Sequence, residues 1–260
     1  DPPPRAVGPK IRSRHLRAGR PVPLIARRKN PTRPDPPPKD PTMPEHDNTS
    51  LTFKLVYYGP AQSGKTTNLL RLHDILSPEL KGEVMIMETK DDRTLFFDLL
   101  PLGFRAPSGL LIKLRLFTVP GQVAHDGTRK AVLSRADGLV FVADSDRTQE
   151  TNNGEAFQSM ADNCHRVGLD FEHIPLVVQF NKRDLPNAVP EAEIRERWDA
   201  APWPVRFATA LSGNGVEATF EALLRALYRR HVDGLGLATD HRLTEDAFVA
   251  GVLGRTLEPQ

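Results

Sequence analysis

Apolar and polar positions alternate or recur along most of this chain from Leu51 onward, and the period changes from segment to segment. "LTFKLVYYG" reads as a strand, with Phe53, Leu55 and Tyr57 on one face. A helix is predicted from about Lys65, where Leu69, Leu72 and Leu76 recur at helical spacing. "LLIKLRLFTV" (110–119) alternates Ile112, Leu114 and Leu116 against Lys113 and Arg115, which predicts a second strand. "LVFVAD" (139–144) and "PLVVQFNK" (175–182) are continuous apolar runs, suited to central parallel strands covered on both faces. Helical segments are predicted over about 127–136, 150–167, 190–200 and 216–230, and "VRFATA" (205–210) as a last short strand. Strands alternating with helices predict an α/β fold, a three-layer sandwich around a largely parallel central sheet, with ligand-binding loops at the carboxyl ends of the strands.

The two ends behave differently. Residues 1–48 hold 13 of the 24 prolines and show no hydrophobic period, so they read as an unstructured extension. A solvated linker, a basic arm for acidic lipid, nucleic acid or an acidic partner, and an upstream start error ahead of Met43 all stay open for them. The core domain is expected over 49–232. The tail, 233–260, carries a weak helical pattern around "TEDAFVAGVLGRTL".

Charge changes this picture in one respect. Residues 1–44 hold 11 Lys+Arg against 3 Asp+Glu, whereas the rest holds 24 against 30. A nucleic-acid reading would therefore rest on residues 1–44 alone and is not favoured. No run approaches a membrane span, no signal-peptide pattern is present, and the one cysteine, Cys164, fits a reducing cytoplasm and a buried filler role.

Candidate chemistry sits in the loops after the predicted strands. "GPAQSGKTTNLL" (59–70) fits G-x-x-x-x-G-K-[ST] through Gly59, Gly64, Lys65 and Thr66, with Gln62, Ser63 and Thr67 inside the same loop and helix start. Glycines let successive N–H groups turn toward phosphate oxygens, and the helix that follows adds its positive end. Lys65 would bridge β- and γ-phosphates, and the Thr66 hydroxyl would ligate Mg²⁺. A glycine turn with an exposed lysine is the plain alternative.

"NKRD" (181–184) follows a buried strand directly. Asp184 there can accept from both N1–H and the N2 amino group of guanine, whereas adenine offers a lone pair and no N2 donor. Asn181 would tie this loop to the phosphate loop, the Lys182 stem can lie over the purine face, and the Ala210 N–H in "ATALSGNGV" is a candidate donor to guanine O6. One rival remains: "LVFVAD" ending at Asp144 also resembles the Mg²⁺-holding strand end of P-loop ATPases. In "FTVPGQ" (117–122), Gly121 can offer its N–H to a γ-phosphate and Gln122 can orient the attacking water.

With "KLVYYGPAQSGKTTNLL", "DRTLFFDLLPL", "FTVPGQ", "VFVADS" and "QFNKRD", residues 51–230 resemble the bacterial MglA-type small Ras-like GTPases of cell polarity and motility. That resemblance implies a GTP/GDP switch with Mg²⁺. Thr94 would complete metal coordination and Arg93 would be an arginine finger supplied in cis. It also implies a strand register shift in the switch region and an MglB-type roadblock dimer as activating partner. The expected setting is the cytoplasm, with recruitment to a pole or membrane surface through partners and with polarity or motility effectors downstream. Arg93 as a solvated cation beside Asp91 or Asp92, and Gln122 as a surface residue, are the bland alternatives; His125 reads as a bystander, Trp198 and Trp203 as packing residues. Two positions depart from the pattern: Ala61 stands where glycine is usual, and Thr118 where Asp is usual. Slow hydrolysis is expected from both, and a hydrolysis-deficient, nucleotide-bound scaffold is the alternative function.

Overall fold

The computed structural model describes residues 50–87, 97–119 and 126–256. Seven strands make one sheet: β1 (Ser50–Tyr58), β2 (Met85–Met87), β3 (Phe97–Arg105), β4 (Leu111–Thr118), β5 (Gly138–Asp144), β6 (Leu176–Asn181) and β7 (Val205–Phe207). Their spatial order is β2-β3-β4-β1-β5-β6-β7. Strands β4, β1, β5, β6 and β7 run parallel, and β3 pairs antiparallel with both β2 and β4. Among the described residues six α-helices complete the layers: α1 (Lys65–Ile75), α2 (Asp126–Leu133), α3 (Glu150–Arg166), α4 (Glu191–Trp198), α5 (Val216–His231) and α6 (Glu245–Leu253).

Strands β5 and β6 are covered on both faces, which is why they are nearly apolar throughout, whereas β4 alternates buried Ile112, Leu114 and Leu116 with exposed Lys113 and Arg115. On one side Phe53, Leu55 and Tyr57 of β1 join Leu69 and Leu72 of α1 and Phe220, Leu223 and Leu227 of α5. On the other, Val56 and Tyr58 join Leu133 of α2 and Met160 and Cys164 of α3. All seven residues of β5 are buried. Trp198 and Trp203 pack edge-on against Phe157 at 5.3 and 5.4 Å between ring centres, in the packing role expected of them.

Strand β3 is absent from the periodicity reading, and Pro101 and Gly103 inside "FDLLPLGFR" explain why. Pro101 pairs with Arg115 of β4, and its carbonyl accepts from the Gly82 N–H at 2.9 Å on the far side. A strand residue's N and O point the same way, so the nitrogen of Pro101 also faces outward. Strand β2 itself pairs only with residues 97–99, and beyond it Lys81 makes one isolated bridge to Leu102, so the proline gives up at most one ladder bond, to the Gly82 segment at the sheet edge. The predicted strand 205–210 is also corrected: it stops at Phe207, where the Ala208 N–H donates to the Phe180 carbonyl and the chain turns into a loop.

The C-terminal segment is built into the core. Thr244 caps α6 by accepting from the Ala247 N–H, and Gly254, at φ +68°, ends it. Phe248 meets Phe53 edge-on at 6.3 Å and Phe104 at 6.1 Å. Gly251 backs onto the same Phe104 ring, which a Cβ there would approach to 2.4 Å. Arg225 and Arg229 of α5 hold Glu245 at the start of α6. No helix among the described residues is long and apolar enough to cross a membrane.

Candidate functional site

The carboxyl end of β1 sets the first half of the site. The chain turns at Gly59, where a Cβ would lie 2.2 Å from the Val142 carbonyl of β5, so no larger residue fits. Gln62 and Gly64 adopt positive φ values, 62° and 98°, and Lys65 then opens α1. Gly64 leaves the first turn without a side-chain cap and no acidic residue stands in that turn. The helix therefore presents uncapped N–H groups and its positive end to whatever enters the loop. Lys65 is buried, and its ammonium donates to the carbonyls of Gly59 (3.0 Å) and Pro60 (2.6 Å), which draws it across the loop. Thr66, the next residue, is exposed. Ser63 is fully buried, and its hydroxyl has no partner among the described residues.

The second half comes from β6 and the loop after β7. Asn181 ends β6, buried, with its Nδ2 donating to the Ser63 carbonyl at 2.8 Å. Its Oδ1 accepts from the Ala210 N–H at 2.9 Å. One side chain thus ties the phosphate loop to the loop at 209–215. Gly64 approaches Asn181 so closely that a Cβ would lie 2.2 Å from Nδ2. The Ala210 N–H, expected at guanine O6, is therefore already engaged, and a base would share it with Asn181. Arg71 of α1 fixes the same loop by donating to the Leu211 carbonyl at 2.7 and 3.1 Å.

Lys182, at φ +65°, turns its ammonium onto Asp144 Oδ2 at 2.6 Å. The other Asp144 oxygen accepts from the Asp146 N–H at 3.0 Å, and Asn153 brackets the Asp144 backbone. Both carboxylate oxygens are committed to the base side of the site, which argues against the Mg²⁺ role that "LVFVAD" would suggest. Asp184 is exposed and makes no hydrogen bond or ion pair among the described residues. It lines a cavity of about 300 Å³ together with Gln62, Gly64 and Thr67 from the phosphate loop and Asn181, Lys182 and Ala210 from the base side. The two motifs, more than a hundred residues apart, share one cavity.

These residues fit a nucleotide. Uncapped helix amides and a drawn-in lysine suit phosphates at one end, and an unpaired carboxylate suits a donor-bearing base edge at the other. Of the two residues expected to hold the metal, only Thr66 lies among the described residues. Thr118, the last residue of β4, is buried beside Tyr57, and the next N–H, of Val119, donates to the Tyr57 carbonyl at 3.2 Å. So the chain leaves β4 at Val119 beside the strand that leads into the phosphate loop. Arg93, Thr94, Gly121, Gln122 and His125 lie outside the described residues. Cys164 is buried in the core, and burial pushes its thiol up to about 12, which keeps it un-ionised.

Comparison with known proteins agrees with this geometry. The model of the ADP-ribosylation factor family matches residues 109–227. The chain is 41% identical over 180 residues to the mutual gliding-motility protein MglA of Myxococcus xanthus (strain DK1622), covering 69% of this chain and 92% of that one. It is 29% identical over 184 residues to the mouse ADP-ribosylation factor-like protein 4D, covering 68% and 83%. To the Caenorhabditis elegans ADP-ribosylation factor-like protein 6 it is 25% identical over 175 residues, covering 65% and 83%.

Proposed function

This chain belongs to the MglA-type small GTPases, and from that premise we propose that it is a Mg²⁺-dependent GTP/GDP switch, slow to hydrolyse GTP unaided, that signals through nucleotide-dependent protein binding in cell polarity or motility. The observation that carries the reading is the single cavity shared by Gly64 and Thr67 with Asn181, Asp184 and Ala210. Its two ends have different chemistry, as a nucleoside phosphate has.

In this reading Asp184 selects guanine. Asn181, Lys182 and Ala210 shape the base side. Gly59, Gln62, Ser63, Gly64, Lys65 and Thr67 hold phosphates. Thr66 and Thr94 would hold Mg²⁺, which when bound offsets phosphate charge. Gly121 would sense the γ-phosphate, Gln122 would place the water, and Arg93 would meet the charge that develops in the transition state. An MglB-type roadblock dimer is the proposed activator, acting from the cytoplasm. Ala61 and the buried Thr118 favour slow turnover. They also keep a second reading alive, a nucleotide-bound scaffold without useful hydrolysis.

Binding of mant-GTP against mant-ATP tests the first step. GTP should be retained and ATP not, and Asp184→Asn should weaken GTP more than about a hundredfold, since a polar base edge is left unpaired. Equal uptake of both nucleotides, or of neither, defeats the reading. Phosphate release measured with and without a roadblock partner then separates switch from scaffold: release that never exceeds buffer while GTP stays bound supports the scaffold.

A further inference from the structure

Strand β6 carries two amide side chains on one face, Gln179 and Asn181, in an otherwise apolar run "LVVQFN". Both are buried. Asn181 is absorbed by the site described above, but Gln179 lies behind it in the core. Its Nε2 donates to Asn68 Oδ1 on α1 and to Thr219 Oγ1 on α5, each at 2.9 Å. Asn68 Nδ2 donates in turn to the Gly64 carbonyl at 3.0 Å, and Thr219 Oγ1 to the Gly215 carbonyl at 2.8 Å. Gly64 caps α1 inside the phosphate loop, and Gly215 caps α5 at the end of the loop that carries Ala210.

The direction of every bond is set from the loops inward. The Gly64 carbonyl can only accept, so Asn68 gives it the NH₂ and turns its oxygen to Gln179. That oxygen and the Thr219 oxygen can be met only by the Gln179 NH₂. The Gln179 oxygen is then left without a donor among the described residues. A buried amide with one end unsatisfied is costlier than an apolar side chain of the same shape, so packing alone does not account for glutamine here. Nor do the helices need it: the Gly64 and Gly215 carbonyls already accept from the backbone N–H groups of Asn68 (2.9 Å) and Thr219 (3.1 Å).

We infer that Gln179 is a positioning residue. With Asn68 and Thr219 it forms a buried brace that fixes the cap of α1 against the cap of α5, and so holds the two halves of the cavity in register before a ligand arrives. Asn181 makes the outer rung through Ser63 and Ala210, and Gln179 makes the inner one through Gly64 and Gly215. The consequence for ligand binding rests on the guanine-nucleotide reading; the brace itself does not.

The test uses the full chain and a variant in which the whole brace is made apolar, Asn68→Leu with Gln179→Met and Thr219→Val. No polar partner is orphaned, so its melting temperature should equal or exceed that of the parent. Amide exchange in the nucleotide-free protein should nonetheless quicken about tenfold over residues 60–68 and 209–216, and mant-GDP should leave about tenfold faster. A folded variant with parent exchange and parent release overturns the inference. If the triple variant does not fold, Thr219→Val and Thr219→Ser decide. Valine should speed exchange over 209–216 and nucleotide release, and serine, which keeps the hydroxyl, should restore both; no difference between them overturns it. A parent protein that takes up no guanine nucleotide would defeat the functional reading, while the exchange measurement would still decide on the brace.

Discussion

Lys182 Nζ stands 2.6 Å from Asp144 Oδ2, joining the loop after β6 to the end of the neighbouring strand β5. Asp144 is buried, and the lysine stem lines the cavity. Lys182 itself is in a left-handed backbone conformation, φ +65°, which a residue with a side chain rarely adopts. Asp184 is two residues further on, so its carboxylate inherits that geometry. Asp144→Asn should remove the charge-assisted part of the bond, about 2 kcal/mol. The outcome expected in equilibrium titration is weaker GDP and GTP binding with guanine selectivity kept. Unchanged affinity would show that the loop is held by other means.

Ala61 is exposed between Pro60 and Gln62, on the open side of the phosphate loop. In the proposed mechanism a methyl group there would crowd Gln122 or Arg93 when the transition state forms. Ala61→Gly should therefore speed partner-stimulated single-turnover hydrolysis, with little change in nucleotide affinity. A rate equal to or below the parent's removes the steric argument.

His231 ends α5 with its ring 5.5 Å from Phe53. Burial lowers its pKa below the usual 6.5; Asp137 opposes that fall and Arg230 adds to it. The unfolded chain then holds the proton more tightly than the folded one, so this contribution to stability is present above about pH 6.5 and is lost as pH falls below it. Asp137 works the other way, because burial raises its pKa from 3.8. Its protonation favours the folded state as pH falls further. Thermal melts should drop between about pH 7.5 and pH 5.5, and His231→Gln should flatten that slope. An equal slope in the variant would assign the effect elsewhere.

Phe248 of α6 fills the space between Phe53, Phe104 and Tyr228. Its truncation in Phe248→Ala should cost about 3–4 kcal/mol. Urea unfolding would report this as a lower midpoint with one transition. A variant as stable as the parent would mean that α6 does not share the core's cooperativity.

Much of this was legible before any coordinates. The parallel strands announce themselves because burial on both faces forces apolar runs, and the phosphate loop does so because its turns need glycine at Gly59 and Gly64. What periodicity missed had physical reasons. Pro101 and Gly103 disguise β3, since a strand whose outer pairing thins to one isolated bridge beyond three pairs can carry a proline facing out. Gln179 was visible as one polar letter in an apolar strand, but its partners, Asn68 and Thr219, lie 111 and 40 residues away. Nothing local marks them as a group. The Asp144–Lys182 pair likewise depends on strand register, because only the alignment of β5 with β6 sets Asp144 opposite Asn181.

The match to the ADP-ribosylation factor model stops at residue 227, yet apolar packing continues through Leu253. An expression boundary drawn where that match ends would strip the cover from Phe53 and Phe104 and leave Arg225 without Glu245. Such a shortened chain would present a greasy flank beside β3, and sticky or low-yield preparations of it would say nothing about how well the intact protein behaves.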